Sequence, residues 1–155
     1  MALTIEPVSA PTDELRQLVV ELDRALDGPY LPEQHHGLSF EQLFDENVRF
    51  FVVRVDSAAV GCGGVGFYDG YAEVKRMFTR STVRRQGVAS ALLRRLEEEA
   101  LRAGYTVLRL ETGVYQHEAI GFYERAGFER CEAFGDYAEM APESIETSVF
   151  YEKSI

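Results

Sequence analysis

The chain has 155 residues, 46% of them hydrophobic and 27% charged, the composition of a globular domain with a real core. No stretch approaches the roughly 20 uncharged apolar residues of a membrane span, and the opening MALTIEPVSAPTDEL lacks the basic-then-apolar layout of a secretory leader, so a cytoplasmic domain is expected. The net charge of -10 opposes binding to a phosphate backbone, and Cys62 and Cys131, too few and too far apart for a disulfide framework or a metal site, read as reduced packing residues.

Residues 3–8 alternate apolar and polar as a short strand does. Pro11 and Thr12 then signal a helix start, Leu15, Leu18, Val19, Leu22 and Leu26 recur at helical spacing, and Gly28 with Pro29 ends the helix. A loop over 30–37 and a short second helix over 40–46 lead into strands at 48–55, 59–68 and 71–79. Their short connections, at Asp56 with Ser57 and at Asp69 with Gly70, predict an antiparallel meander. The period then changes. Val88, Leu92, Leu93, Leu96 and Ala100 line one side of a helix, Arg94, Arg95, Glu97, Glu98 and Arg102 the other, and Gly104 stops it. An apolar strand over 105–111 follows, and a strand, helix, strand succession implies a parallel crossover. A helix over 118–126, closed by Gly127, and strands over 128–134 and 147–153 complete one mixed α/β domain with no internal repeat and no linker.

Between the strand ending at Thr79 and the long helix, Arg84, Arg85, Gln86, Gly87, Val88 and Ala89 have the form Arg/Gln-x-x-Gly-x-Gly/Ala. The first turn of a helix carries unpaired N–H groups and the positive end of the macrodipole; a small residue at Gly87 lets a phosphate approach them, and Arg84 and Arg85 add charge-assisted hydrogen bonds. On the hexapeptide alone, an incidental helix start with solvated arginines accounts for these residues equally well. The turn lacks the Gly-Lys-Ser/Thr ending of a Walker loop and the three glycines of a dinucleotide fingerprint.

With its flanks, this turn resembles the pyrophosphate loop of the GNAT acetyltransferases. AEVKRMFTRSTVRRQGVASALLRRLEEEA is similar to that family's motif A and LETGVYQHEAIGFYERAGF to its motif B, in the right order across residues 72–128. The resemblance implies a single GNAT domain over 1–155: α/β, with a mixed, mostly antiparallel six- or seven-stranded sheet, helices on both faces, and a splay between strands four and five. It implies acetyl-CoA as cosubstrate, the pantetheine arm running along Met77, Phe78 and Thr79 and the pyrophosphate resting on Arg84, Arg85, Gln86, Gly87, Val88 and Ala89. Thr79 stands where Val is commoner, Ala89 where Gly is, and Gln116 where many relatives carry an Asn that touches the cofactor.

By the same resemblance Tyr123 lies near the thioester sulfur and serves as general acid to the departing thiolate. Without the motif it reads as a core aromatic beside Ala119, Phe122 and Ala126. An amine attacks only in its neutral form, so a base or a proton-carrying water chain is required. Glu111, ending the fifth strand, and Glu73, early in the fourth, match base positions of different relatives. Each has a structural alternative: Glu73 pairing with Lys75 or a neighbouring strand, Glu111 capping a turn. The main-chain N–H near Phe78, where the family's strand bulges, matches the oxyanion donor.

The resemblance places the acceptor among the first helical region, strands four and five, and the loop before the last strand, where Tyr30, His35, His36, Tyr115 and Tyr137 are the polar or aromatic candidates. No metal is implied, since the adjacent His35 and His36 cannot readily share an ion. The expected activity is direct transfer of acetyl from acetyl-CoA to a primary amine of a small molecule or amino acid in a ternary complex. A peptide or protein amino terminus as acceptor, and a non-catalytic CoA-binding sensor, are the alternatives. The expected partner is a small-molecule amine, with no nucleic acid and no membrane, and a homodimer is compatible with the sequence.

Overall fold

A computed structural model describes residues 2–26 and 28–155; the Leu26 side chain, expected on the apolar face of the first helix, lies outside the described residues. The elements run β1 (Leu3–Val8), α1 (Asp13–Leu26), β2 (Val48–Val55), β3 (Ala58–Phe67), β4 (Ala72–Thr79), α2 (Val88–Arg102), β5 (Val107–Gly113), α3 (His117–Arg125), β6 (Glu129–Cys131), α4 (Pro142–Ile145) and β7 (Ser148–Ser154). The strands form one seven-stranded sheet in the order β1-β2-β3-β4-β5-β7-β6. All neighbours are antiparallel except β4 and β5.

The central strands read as nearly continuous apolar runs because both faces of the sheet are covered. Along β2, Phe50 and Val52 pack with Leu15, Leu18 and Val19 of α1, while Phe51 and Val53 join Leu92 and Leu96 of α2 and Tyr123 of α3. That alternation, at a strand's period of two, places α1 on one face and α2 with α3 on the other. A third cluster, Phe134, Tyr137 and Phe150, fills the end of the sheet near β7. No helix among the described residues is long and apolar enough to cross a membrane.

Several expected boundaries move for local reasons. The second helix over 40–46 is a 3-10 turn, Glu41–Phe44, which Ser39 and Gln42 close reciprocally, each backbone N–H donating to the other's side-chain oxygen. The loop over 30–37 holds another 3-10 turn, Pro32–Gln34. The fifth strand starts later than expected because the Tyr105 N–H is spent on Ala100 O, finishing α2. The strand over 128–134 shrinks to three residues, as β6 pairs with β7 only from Glu129 to Cys131 before the chain turns to bury Phe134.

Two irregularities shape the centre of the sheet. The β4–β5 pairing consists of Ala72 with Leu108 and Glu73 with Arg109, after which the strands part; this is the splay expected between strands four and five. Against β3, Cys62 faces Phe78 and Gly64 faces Lys75, so Arg76 and Met77 together oppose Gly63 in a bulge. Arg76 sits there at φ +51°, in the left-handed region. The bulge therefore precedes Phe78, where the resemblance had placed it.

Candidate active site

Where β4 and β5 part, a cavity of about 150 Å³ opens, with Val74, Arg76 and Met77 on one wall and Leu110, Glu111, Thr112 and Gly113 on the other. Leu22 of α1, the loop residues Tyr30, Gln34, His35, His36 and Gly37, and Gln116, Ala119 and Tyr123 at α3 complete it. The walls mix aliphatic side chains, Leu22, Val74, Met77, Leu110 and Ala119, with polar groups that converge on the cavity. Of the expected residues, Tyr123, Glu111, Met77, Gln116, Tyr30, His35 and His36 meet here.

Glu73 does not line the cavity. It is buried, its Oε2 accepts a 2.7 Å hydrogen bond from the Tyr137 hydroxyl, and Lys75 Nζ lies 3.0 Å from the same oxygen. Lys75 sits between the Tyr68 and Tyr137 rings, 5.5 and 5.7 Å from their centroids. Burial raises the Glu73 carboxyl above its ordinary value, with Lys75 and Tyr137 acting against that shift. The sequence alternative of a Glu73–Lys75 pair is what the strand builds, since the two alternate onto one face of β4, and Tyr137 is its third member rather than a wall of the cavity.

Glu111 is placed differently. It lines the cavity, and its Oε2 accepts a 2.7 Å hydrogen bond from Ser148 on the adjacent strand β7. Burial raises its carboxyl as well, opposed by the Ser148 hydroxyl and the nearby His36. His36 Nε2 is 2.7 Å from the Ser144 carbonyl oxygen. Because a carbonyl only accepts, Nε2 carries the hydrogen. The His36 ring meets Tyr137 edge-on at 5.7 Å.

The Tyr123 ring is wedged between Phe122 and Phe128, with centroids at 5.3 and 5.6 Å. Its hydroxyl has no protein partner among the described residues, and burial alone raises its pKa, so it keeps its proton through neutral pH. Cys62 is no nucleophile: burial pushes its thiol up to about 12. Cys131 is only half-buried.

Tyr30 closes the far end. Its hydroxyl accepts a 3.0 Å hydrogen bond from the Tyr115 N–H, and the Tyr115 ring, 52% exposed, leans on Tyr30 outside the cavity. The phenol lies against Gly113, where a Cβ would come within 2.0 Å of the Tyr30 oxygen. Gly113→Ala must therefore expel Tyr30. A loss of about 1–3 kcal/mol is expected, the usual cost of overpacking, together with a raised acceptor KM. Thermal denaturation checks it; an unchanged Tm would show that Tyr30 yields without cost.

The turn before α2 has the form an anion needs. Arg85 and Gly87 are both left-handed, at φ +66° and +81°, an alternation that turns backbone N–H groups into a concave nest. Gly87 is the N-cap of the 15-residue α2 and no side chain caps it. Its carbonyl accepts from Ala91, and a Cβ at Gly87 would meet nothing within 4 Å. The amides of Val88 and Ala89 belong to the first turn of α2, at the positive end of its dipole, beside the open space at Gly87. Arg84 is exposed, its guanidinium 3.4 Å from Glu118 at the start of α3. Phe78 and Thr79 run on from the bulge paired to β3 on one edge, with no β5 partner on the other.

Sequence reasoning missed Arg76 and Ser148. The alternation of β4 leaves Arg76 out of phase with Glu73 and Lys75, and a charged residue in that phase of a central strand was the available signal. Ser148 carries no sequence signal, because its role depends on the pairing of β7 with β5.

The sequence matches the acetyltransferase (GNAT) family over residues 13–128. The IAA acetyltransferase of Azospirillum brasilense is 40% identical over 155 residues, spanning 99% of this chain and 98% of that protein. An uncharacterized N-acetyltransferase of Bacillus subtilis, YsnE, is 37% identical over 111 residues, 70% of this chain and 74% of that one. The PaiA N-acetyltransferase of Thermoplasma acidophilum, solved in complex with coenzyme A, has the same fold, with a TM-score of 0.78 at 18% identity and full coverage of both chains. The family match runs from α1 through α3, across the parted strands and the open helix start alike, and the chain belongs to the GNAT family as an acetyl-CoA-dependent N-acetyltransferase.

Proposed function

We propose that this chain transfers acetyl directly to a primary amine of a small molecule or amino acid, with Glu111 as base and Tyr123 as acid. The observation that carries the reading is that one cavity, at the parting of β4 and β5, holds both side chains while Glu73 is engaged elsewhere. Acetyl-CoA supplies the activated acyl thioester. The nest of Arg84 to Ala89 would hold its pyrophosphate, the open edge of Met77, Phe78 and Thr79 its pantetheine arm, and Gln116 the arm's far side. The amine nitrogen bonds to the acetyl carbon as the carbon–sulfur bond breaks; an amine proton passes to Glu111, and Tyr123 donates one to the departing sulfur. The backbone N–H groups next to the bulge are the donors for the charge that develops on the acetyl oxygen.

The cavity's volume favours a small acceptor. Release of CoA from acetyl-CoA, followed across amines, amino acids and peptides, tests this, and IAA belongs in the panel because of the Azospirillum relative's name. Release with peptides alone would move the acceptor to an amino terminus, and no release with any acceptor would favour a CoA-binding sensor. Acetyl-CoA at 100 times Kd is expected to stabilise the fold by about 2.7 kcal/mol, roughly 5–10 °C in Tm. No shift would remove the proposed nest.

A further inference from the structure

On the reading that the cavity between β4 and β5 receives the acceptor, we propose that Arg76 binds a carboxylate there, so that the acceptors are amino acids with apolar side chains, held by amine and carboxylate at once. Arg76 lines the cavity, yet its side chain is only 10% exposed. Its guanidinium is fixed from behind: Nε donates to the Leu38 carbonyl oxygen at 2.7 Å, and Nη1 pairs with Asp23 of α1. Nη2 has no partner among the described residues. Nη2 is not shut away from solvent, and it belongs to a residue on the cavity wall, so a ligand entering the cavity can meet it.

The surroundings hold this donor in place rather than leaving it free to turn. Gly37 lies flat against the guanidinium, where a Cβ would come within 2.7 Å of Cζ and of Nε. Arg76 occupies the left-handed region at φ +51°, which an unbranched L-residue adopts only when its surroundings enforce it. The bulge sets the consecutive Arg76 and Met77 together against Gly63, which lets both reach the cavity that Val74 lines; strict alternation would turn Met77 away. Arginine is suited to this work, as its fork can satisfy one carboxylate at the back and present its remaining face to another.

Across the cavity stands Glu111, so the site has a basic pole on β4 and an acidic pole on β5. Leu22, Val74, Leu110 and Ala119 lie among them. An α-amino acid matches that arrangement: amine toward Glu111, carboxylate toward Arg76, apolar side chain against the aliphatic walls. A simple amine leaves Nη2 unmet, and an acyl chain without an amine leaves Glu111 unused.

The test compares L-leucine, L-leucinamide and 3-methylbutylamine, which share amine and side chain and differ at the carboxylate. Calorimetric binding to CoA-saturated protein is measured beside CoA release from acetyl-CoA. Wild type is expected to bind L-leucine about tenfold to a hundredfold more tightly than either other probe, the range of a charge-assisted hydrogen bond. Arg76→Gln is expected to abolish that preference by weakening L-leucine alone, and Asp23→Asn, which loosens the clamp but keeps the guanidinium, to retain a preference. Equal binding of the three probes by wild type, binding of none, or equal weakening of all three by Arg76→Gln overturns the proposal. If Arg76→Gln does not fold, the wild-type ranking decides. Selective binding of L-leucine with no CoA release upholds Arg76 as the carboxylate site and removes the acetyl-transfer reading instead.

Discussion

Tyr123→Phe is expected to lower kcat by roughly a hundredfold to ten-thousandfold, the span of a lost general acid, with acetyl-CoA binding unchanged. The substitution removes one oxygen from a ring held by Phe122 and Phe128, so the packing that positions α3 survives. The hydroxyl has no protein partner among the described residues, so its removal strands no buried group. Burial keeps the phenol protonated at neutral pH, the state a donor requires and one a base would not have. The thiolate of CoA is a much better leaving group than an alkoxide, which puts the expected loss nearer the lower end of that range. The measurement is kcat by CoA release beside Kd for acetyl-CoA by calorimetry. An unchanged kcat would reduce Tyr123 to a core aromatic, the alternative that its position beside Ala119 and Phe122 offered from the start.

Most of the framework was legible because it follows local rules. The alternation in β1, the helical spacing of α1 and α2, and the short turns at Asp56 and Gly70 fixed element order and type, and the motifs supplied the splay. What escaped was set by contacts distant in sequence. Ser39 and Gln42 converted a helical pattern into a single 3-10 turn. The bulge at Arg76 depends on how β4 meets β3, and Arg76 binds a helix 53 residues earlier in the chain. The two glutamates could not be told apart in the sequence because their difference is their partners: Lys75 and Tyr137 for Glu73, Ser148 and the cavity for Glu111. Tyr137 was read as an acceptor contact because nothing in the sequence shows that its hydroxyl is taken.

That difference in partners gives the second large effect. Glu111→Gln is expected to lower kcat/KM at neutral pH by roughly a hundredfold to ten-thousandfold, as loss of a general base does, and to erase the acid limb of the pH profile. In wild type the limb is expected above the usual carboxylate range, because burial raises the Glu111 carboxyl and a general base acts only once ionised. Stability runs the other way. A carboxyl whose folded value is raised binds its proton more tightly in the folded state than in the unfolded one, so its stabilising contribution is present below about 4.5 and is lost as pH rises through the folded value. Once pH exceeds that folded value wild type carries the cost of a buried charge; the Glu111→Gln variant does not, and its new amide oxygen can still accept from Ser148. Glu111→Gln should therefore be at least as stable as wild type at pH 7 while far less active, which separates chemistry from folding. Glu73→Gln should behave in the opposite manner, leaving buried Lys75 without its counter-charge and lowering Tm, with the acid limb of activity retained. If instead Glu73→Gln removes the limb and Glu111→Gln keeps it, the base lies beneath the cavity, reached through Tyr137.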